Sequence, residues 1–257
     1  MTAEFVSVTE MEGQRISAEQ LNRTCHRYHW AACMAAGKDV LEVACGSGPG
    51  LGVLAAQAKS VVAGDISPEV LARAKATYGD RFELSVFPAS PLPFADDSFD
   101  LVLMFEALYY LPDVIGFFRE AARVLRPGGA LLIVTANKDL FDFTPSPFSQ
   151  RYLGTVELVS ELAAQGFTVT LGGLTDVSKV SLRQRILRPM KLLASRLGLV
   201  PKTMHSKVLL KRLFFGSMTV MPADVSTVEY AYEALTPLNP AEPDRRHKVI
   251  YCEARCG

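Results

Sequence analysis

The sequence predicts an α/β protein: a doubly wound, mostly parallel sheet of seven strands, with an N-terminal helical cap and a late basic helical insertion. Short apolar runs alternate with helical patterns along most of the chain, as strands buried beneath helices on both faces do. One stretch, Val40-Leu-Glu-Val-Ala-Cys-Gly-Ser-Gly-Pro-Gly50, carries a strand-like run into a turn with glycine at 46, 48 and 50. A strand that ends in small residues lets a ligand approach the backbone, and the next helix turns its unpaired N–H groups towards it. Such a crossing marks a nucleotide-type site at the C-terminal edge of a parallel sheet. The size fits as well, since 257 residues with 49% hydrophobic content can bury the core of one large domain.

The elements follow in order. Residues 16–37 read as helical and, with the segment before them, form a cap over 1–37. Strand one is Val40 to Val43, residues 50–58 make a short helix, and Val61 to Gly64 is a strand closed by Asp65. Ser67-Pro68-Glu69 places an N-cap serine, a first-turn proline and an early acid at a helix start. That helix stops at Gly79, where a glycine can take the left-handed conformation that ends a helix. Phe82 to Phe87, Leu101 to Phe105 and Ala130 to Thr135 read as strands three to five. Between the last two, Asp113 caps a helix that runs to Leu125 and ends at Pro127-Gly128-Gly129. Val156 to Ala164 is helical, Phe167 to Leu171 is strand six, and Val249 to Ala254 is the last strand. Residues 173–246 break this rhythm and read as an insertion within a single domain spanning 1–257.

Composition narrows the class. No apolar run approaches the roughly 20 residues that span a bilayer. The first 15 residues carry Glu4, Glu10 and Glu12 and lack the basic-then-apolar layout of a signal segment. The five cysteines form no CxxC pair, which favours reduced thiols and a cytoplasmic setting. Net charge is zero, yet ten of the 27 Lys and Arg residues fall between Lys179 and Arg212. No Asp or Glu lies between Asp176 and Asp224. A cationic segment is thus set on an acidic body.

The glycine turn narrows the ligand. A dinucleotide fingerprint needs G-x-G-x-x-G, but Leu51 stands where the third glycine belongs, and no Gly-Lys-Ser/Thr follows to make a P-loop. A ligand without a pyrophosphate suits the turn better. Glu42-Val-Ala-Cys-Gly-Ser-Gly-Pro-Gly50 resembles motif I of the class I S-adenosylmethionine-dependent methyltransferases. Val62-Ala-Gly-Asp65-Ile-Ser-Pro68 resembles their second motif. Leu92-Pro-Phe94 with Ser98-Phe-Asp100 is similar to the approach to their fourth strand, and Leu125-Arg-Pro-Gly-Gly129 to the turn before their fifth. Four such motifs in the family's order across 40–135 are specific where one alone is weak. The sixth strand and Lys248-Val-Ile-Tyr251 extend the likeness towards the C-terminus.

The resemblance implies a Rossmann-like methyltransferase fold that binds S-adenosyl-L-methionine and releases S-adenosyl-L-homocysteine. It implies that Ala44, Gly46 and Gly48 line the methionine part and that Glu42 meets its α-amino group. Asp65 would accept the ribose hydroxyls and Ile66 would pack on adenine, with Tyr28 and Phe105 also on the cofactor. The family often has an acid near position 88 for the adenine amino group. This chain has Pro88 there, so Ser90 or a backbone carbonyl would substitute, while the Ala89 N–H would still meet the ring. The plainer reading of Asp65 is a loop carboxylate capping the next helix, and of Glu42 a solvated strand end.

Methyl transfer from a sulfonium is an in-line displacement, in which alignment supplies much of the acceleration. A base is needed only where the acceptor must lose a proton. Candidates for catalysis are His26 and His29 in the cap, and Glu106 and Tyr109 after strand four. Some relatives hold a metal with an acid and a histidine after strand four. Tyr109 and Tyr110 occupy those places here, so no metal is expected. Tyr110, Arg151 and Tyr152 are candidates for binding the acceptor. The plainer reading of the cap histidines is aromatic packing, and of Glu106 a helix-start carboxylate. In the insertion, Leu182, Ile186, Met190, Leu193 and Leu197 would share one helical face opposite Arg185, Arg188, Lys191 and Arg196. Its plainer reading is a packed helix with a solvated charged side. Its functional readings are an anionic or lipid-linked acceptor, or peripheral membrane contact through 182–212. Nucleic acid is disfavoured, because the segment has aromatics only at Phe214 and Phe215. The expected function is O-methylation of a sugar, natural-product or lipid-linked hydroxyl. The alternative is a non-catalytic, membrane- or nucleic-acid-associated protein on the same fold.

Overall fold

The computed structural model describes residues 11–179 and 218–257. The chain starts with a short strand, β1 (Arg15–Ser17), and turns at once into the cap helix α1 (Ala18–Ala32). A reciprocal cap fixes that turn. Ser17 Oγ accepts from the Gln20 N–H at 3.1 Å, and Gln20 Oε1 accepts from the Ser17 N–H at 3.0 Å. The helix stops five residues short of the expected end. Gly37 adopts φ 69° and donates its N–H to Gln57 O at 3.0 Å, which draws the chain into β2 (Asp39–Val43).

From there strand and helix alternate. α2 (Leu51–Ala55), β3 (Ser60–Asp65), α3 (Pro68–Tyr78), β4 (Glu83–Val86) and β5 (Phe99–Phe105) come first. α4 (Val114–Val124), β6 (Leu125–Ala136), α5 (Thr155–Ala163) and β7 (Phe167–Asp176) complete the run. The late segment adds β8 (Met218–Val220), β9 (Thr236–Pro237) and β10 (His247–Cys256). The main sheet runs β4-β3-β2-β5-β6-β10-β7-β9, parallel from β4 to β6, with β10 antiparallel to both neighbours. It contains the seven expected strands and, on one edge, the two-residue β9.

The chain winds outward from β2 to β3 and β4, then returns to β2's other side for β5 and β6. This reversal opens a crevice at the C-terminal ends of β2 and β5, where ligands bind in open α/β sheets. Each face of the sheet has its own core. Leu51 and Leu54 of α2, Leu71 and Ala74 of α3, and Tyr28 and Ala31 of α1 pack on one face. Phe117, Phe118, Leu158 and Leu162 of α4 and α5 pack on the other. The Pro127-Gly128-Gly129 turn is taken into β6 as an irregularity, with the register shifting between Phe99 and Leu101. Arg126 anchors it at the edge remote from the crevice, pairing with Asp39 at 3.0 Å and Asp100 at 2.9 Å.

The 173–246 boundary moves. β7 continues to Asp176, because Gly172, Gly173 and Leu174 pair with β10. The end of the segment also belongs to the domain. β8 pairs with β1, Val225 N–H donates to Pro49 O at 2.7 Å, and Met221 and Val225 are buried in the core. Residues 218–235 thus form a strap that joins the cap helix to the glycine turn. The amphipathic pattern from Leu182 to Leu197, and the rest of the basic run from 180 to 212, lie outside the described residues. Among those described, no helix is long and apolar enough to cross a membrane.

Gly50 owes its identity to this packing. A Cβ there would lie 2.0 Å from Tyr28 Cγ, far inside contact distance. Gly50→Ala should therefore lose about 1–3 kcal/mol through overpacking. Chemical denaturation with an unchanged m-value would check this, and an unchanged midpoint would refute it.

Candidate active site

The crevice is built from strand ends whose backbone leaves ordinary geometry. Ala44, Gly46 and Gly48 adopt φ of 58°, 59° and 70°, so the chain after β2 curls back on itself. The left-handed region costs glycine little, but for alanine it is strained, and such strain collects at functional sites. Glu106, just past β5, is held in the same region at φ 52°, with its N–H donated to Val134 O at 2.7 Å. Two strained non-glycine residues therefore flank the crevice at the ends of adjacent strands.

Glu42 is not a solvated strand end. Only 1% of it is exposed, its Oε1 accepts from Tyr28 Oη at 2.7 Å, and its Oε2 has no partner. Burial, more than any other influence, raises its pKa from the usual 4.5 to about 7. A buried carboxylate oxygen with no donor is costly unless a donor arrives from outside the chain. Tyr28 is itself wholly buried, and its ring meets Phe105 edge-on at 5.5 Å.

Asp65 accepts from backbone N–H groups on both of its oxygens. Its Oδ1 accepts from the N–H of Ser67, the residue that caps α3, at 2.9 Å, while Oδ2 accepts from the Gly46 N–H at 3.0 Å. The second bond turns the carboxylate to the glycine turn and locks the two strand ends together. Burial raises its pKa, opposed by the backbone N–H groups. Ile66 beside it is 46% exposed, an apolar side chain left uncovered. Ala89 is half-buried against the second core, and Ser90 Oγ faces the first turn of α4, 3.1 Å from where a Cβ on Gly116 would be.

The segment after β5 forms an aromatic wall. Tyr109 stacks on Tyr152 at 4.3 Å and tilts against Tyr110 at 4.6 Å, and Phe143 meets Tyr152 edge-on at 4.7 Å. Ser146 ties the wall together: its Oγ lies 2.6 Å from Tyr110 Oη, and its N–H donates to Tyr152 Oη at 3.0 Å. Tyr109 Oη donates to Glu106 Oε2 at 3.0 Å. Burial first, and the Glu106 charge second, hold the Tyr109 hydroxyl in its protonated form.

Two groups of predicted residues are placed differently from expectation. His26 is wholly buried. It stacks on Tyr232 at 5.0 Å, meets Tyr251 edge-on at 4.9 Å and has Nε2 2.8 Å from Glu233 O. That carbonyl needs a donor, so Nε2 bears the proton. Burial lowers the pKa of His26, and also of His29, which stacks on Tyr230 at 5.1 Å. Both histidines pack on aromatic rings between cap and strap, as the plainer reading of the cap expects. Arg151 turns away from the aromatic wall and pairs with Glu161 of α5 at 3.2 Å, with its side chain 54% exposed.

Sequence reasoning missed the strap. A Cβ on Gly52 would lie 2.1 Å from Asp224 Oδ2, so the strap presses directly on the start of α2. Tyr230 and Tyr232 face the cap histidines across it. Their four aromatic positions are 200 residues apart in the chain, and only the paired His-x-x-His and Tyr-x-Tyr spacings hinted at them.

Comparison with known proteins covers the strands that frame this crevice. A family model described as "Methyltransferase domain" matches residues 41–133, from β2 to β6. A probable S-adenosylmethionine-dependent methyltransferase of Mycolicibacterium smegmatis is 37% identical over 151 residues, covering 56% of this chain and 58% of its own. The 27-O-demethylrifamycin SV methyltransferase of Amycolatopsis mediterranei is 38% identical over 106 residues, 39% of each chain. The chain thus spans little more than half the length of the first of these relatives, and less of the second. Among solved structures, a putative methyltransferase from Bacillus halodurans superposes with a TM-score of 0.57. It is 20% identical and covers 91% of this chain and 98% of its own, a likeness of fold.

The buried Glu42 makes a pH test available. Its pKa is raised on folding, so its contribution to stability is complete below about 4.5 and is lost as pH rises through about 7. Measured against Glu42→Gln, the ligand-free protein should lose about 3 kcal/mol of relative stability across that window. Parallel stability–pH curves for the two proteins would refute the assignment.

Proposed function

With a methyltransferase domain of the class I S-adenosylmethionine-dependent family at its core, this chain is one that we propose methylates a hydroxyl of a small-molecule acceptor. The observation that carries this reading is the Asp65–Gly46 bond, which sets a carboxylate beside a glycine-lined turn that lacks both phosphate-binding motifs. The residues fit the cofactor. Glu42 has a buried, partnerless oxygen suited to an ammonium, the turn after β2 offers bare backbone, and Ile66 offers an apolar surface. When bound, S-adenosylmethionine supplies an electrophilic methyl group on a sulfonium.

The chain's own residues do the rest. Glu42 would hold the amino end of the cofactor while Tyr28 fixes the carboxylate's orientation from above. Asp65 keeps lone pairs beyond its two backbone bonds with which to accept ribose hydroxyls. Glu106 would accept the proton of the acceptor hydroxyl as its oxygen attacks. Tyr109, kept as a phenol, donates to that carboxylate and sets its direction. The wall of Tyr109, Tyr110 and Tyr152 would exclude water from the acceptor. Methylation at oxygen is favoured because a carboxylate at the strained end of β5 is suited to a hydroxyl proton. The rifamycin relative's name specifies an oxygen as its site, in keeping with a natural-product acceptor. The cationic run between Lys179 and Arg212 further favours an acceptor with anionic or lipid-linked character.

Isothermal calorimetry tests the cofactor reading. The protein should bind S-adenosylmethionine, and Asp65→Ala should weaken binding about 10- to 100-fold, the scale of charged hydrogen bonds. Equal affinity for the two proteins, or no binding by either, would refute it. For the transfer step, Glu106→Gln should lower kcat about 10²- to 10⁴-fold while cofactor affinity is retained. Transfer of labelled methyl to phenol and diol acceptors would measure this, and an unchanged kcat would remove Glu106 from the role of base.

A further inference from the structure

Buried side-chain atoms without a hydrogen-bond partner gather in one place. Arg23 Nε, His26 Nδ1, His29 Nε2 and Tyr251 Oη all lie on the cap helix or on the strand beneath it. His247 Nε2 also lacks a partner, but it sits apart, in a network with Asp244. Each unmatched buried polar group costs about 1–3 kcal/mol, so a native fold seldom accumulates several under one helix without a use.

Tyr251 is central to the group. Its residue is 1% exposed, and its ring is wedged between His26 at 4.9 Å and Trp30 at 5.0 Å, both edge-on. The stack fixes the ring and leaves the hydroxyl as the one part with nothing to bond. Arg27 and Arg23 from α1, Glu106 from the end of β5, and Tyr230 from the strap all act electrostatically on that hydroxyl. Tyr251 pairs with Val134 across the sheet, and Val134 in turn pairs with Phe105, the residue before Glu106. The phenol therefore stands two strands from the proposed base, on the face covered by the cap.

We infer that Tyr251, with Arg23, forms an oxygen-binding subsite for the acceptor, next to the hydroxyl that Glu106 deprotonates. This rests on the methyl-transfer reading above. Glu106 calls for a hydroxyl that can give up a proton, while a phenol and a guanidinium call for a neighbouring oxygen that accepts hydrogen bonds. An acceptor with two adjacent oxygens, a vicinal diol or a hydroxyl beside a carbonyl or carboxylate, satisfies both. A lone alcohol on a hydrocarbon would leave the subsite unmatched, and sites built to bond an oxygen reject analogues that lack it. Entry requires the cap and strap to part, and the unmatched polar atoms lower the cost of that parting.

Tyr251→Phe tests this, because it keeps the ring stack and deletes only the hydroxyl. In the ligand-free protein the melting temperature should hold or rise, since a buried unmatched hydroxyl is removed. A fall would show that the hydroxyl supports the fold and would overturn the inference. Catechol, cis-1,2-cyclohexanediol and salicylate then serve as paired-oxygen probes, with phenol and cyclohexanol as single-oxygen controls, measured by saturation-transfer NMR with S-adenosylhomocysteine present. At least one paired probe should bind the wild type and bind Tyr251→Phe about tenfold more weakly, the loss of one hydrogen bond. The controls should not distinguish the two proteins. Equal binding of paired probes to both proteins, or no paired probe bound by the wild type, overturns the inference. Calorimetry with S-adenosylmethionine, unchanged in Tyr251→Phe, separates that failure from failure of the methyl-transfer reading, which would abolish cofactor binding in the wild type too.

Discussion

Tyr28 fills the space that a side chain on Gly50 would need, and from there its hydroxyl reaches Glu42. Cap helix, glycine turn and first core strand meet at this one side chain. The ring demands that residue 50 lack a Cβ, the hydroxyl demands an acceptor at residue 42, and burial of the pair keeps water from substituting for either. The cap is therefore seated by the same residues that shape the cofactor crevice. Any displacement of α1 exposes Glu42, and any charge placed near Glu42 is felt by α1.

The crevice combines order and strain in a way that suits its chemistry. The Asp65–Gly46 bond pins the ends of β2 and β3, while Ala44 and Glu106 hold backbone conformations that a relaxed chain avoids. The energy to hold them comes from the two apolar cores, in which β2 and β5 are almost entirely buried and β6 is buried from Gly129 to Thr135. In-line displacement asks mainly for alignment, and a rigid sheet edge with a few strained residues supplies it. The polar atoms left unmatched beneath the cap are the opposite device. They keep one side of the crevice ready to exchange contacts within the protein for contacts with an acceptor.

Much of this was legible from residue order. The alternation of strands and helices, the left-handed demand of Gly46 and Gly48, the Ser67 cap and the carboxylate at the end of the second long strand are all local features. Each rests on φ preferences or on hydrogen bonds spanning a few residues, so short stretches of sequence carry them. The reading of Gly50 as part of a ligand-lining turn was incomplete for the same reason. Its partner, Tyr28, is local in neither sequence nor pattern.

Sequence by itself determined the sheet, the glycine turn, the two carboxylates at its strand ends and the aromatic segment after β5. The tertiary structure alone decided that Glu42 is buried rather than solvated, and that His26 and His29 stack on tyrosines of the late segment. It also turned Arg151 outward to Glu161 and made the late segment a strap across the cap. The physical reason is range. A turn or a cap is fixed by neighbours within four residues, whereas burial, stacking and the pairing of charges depend on which distant segments the sheet order brings together.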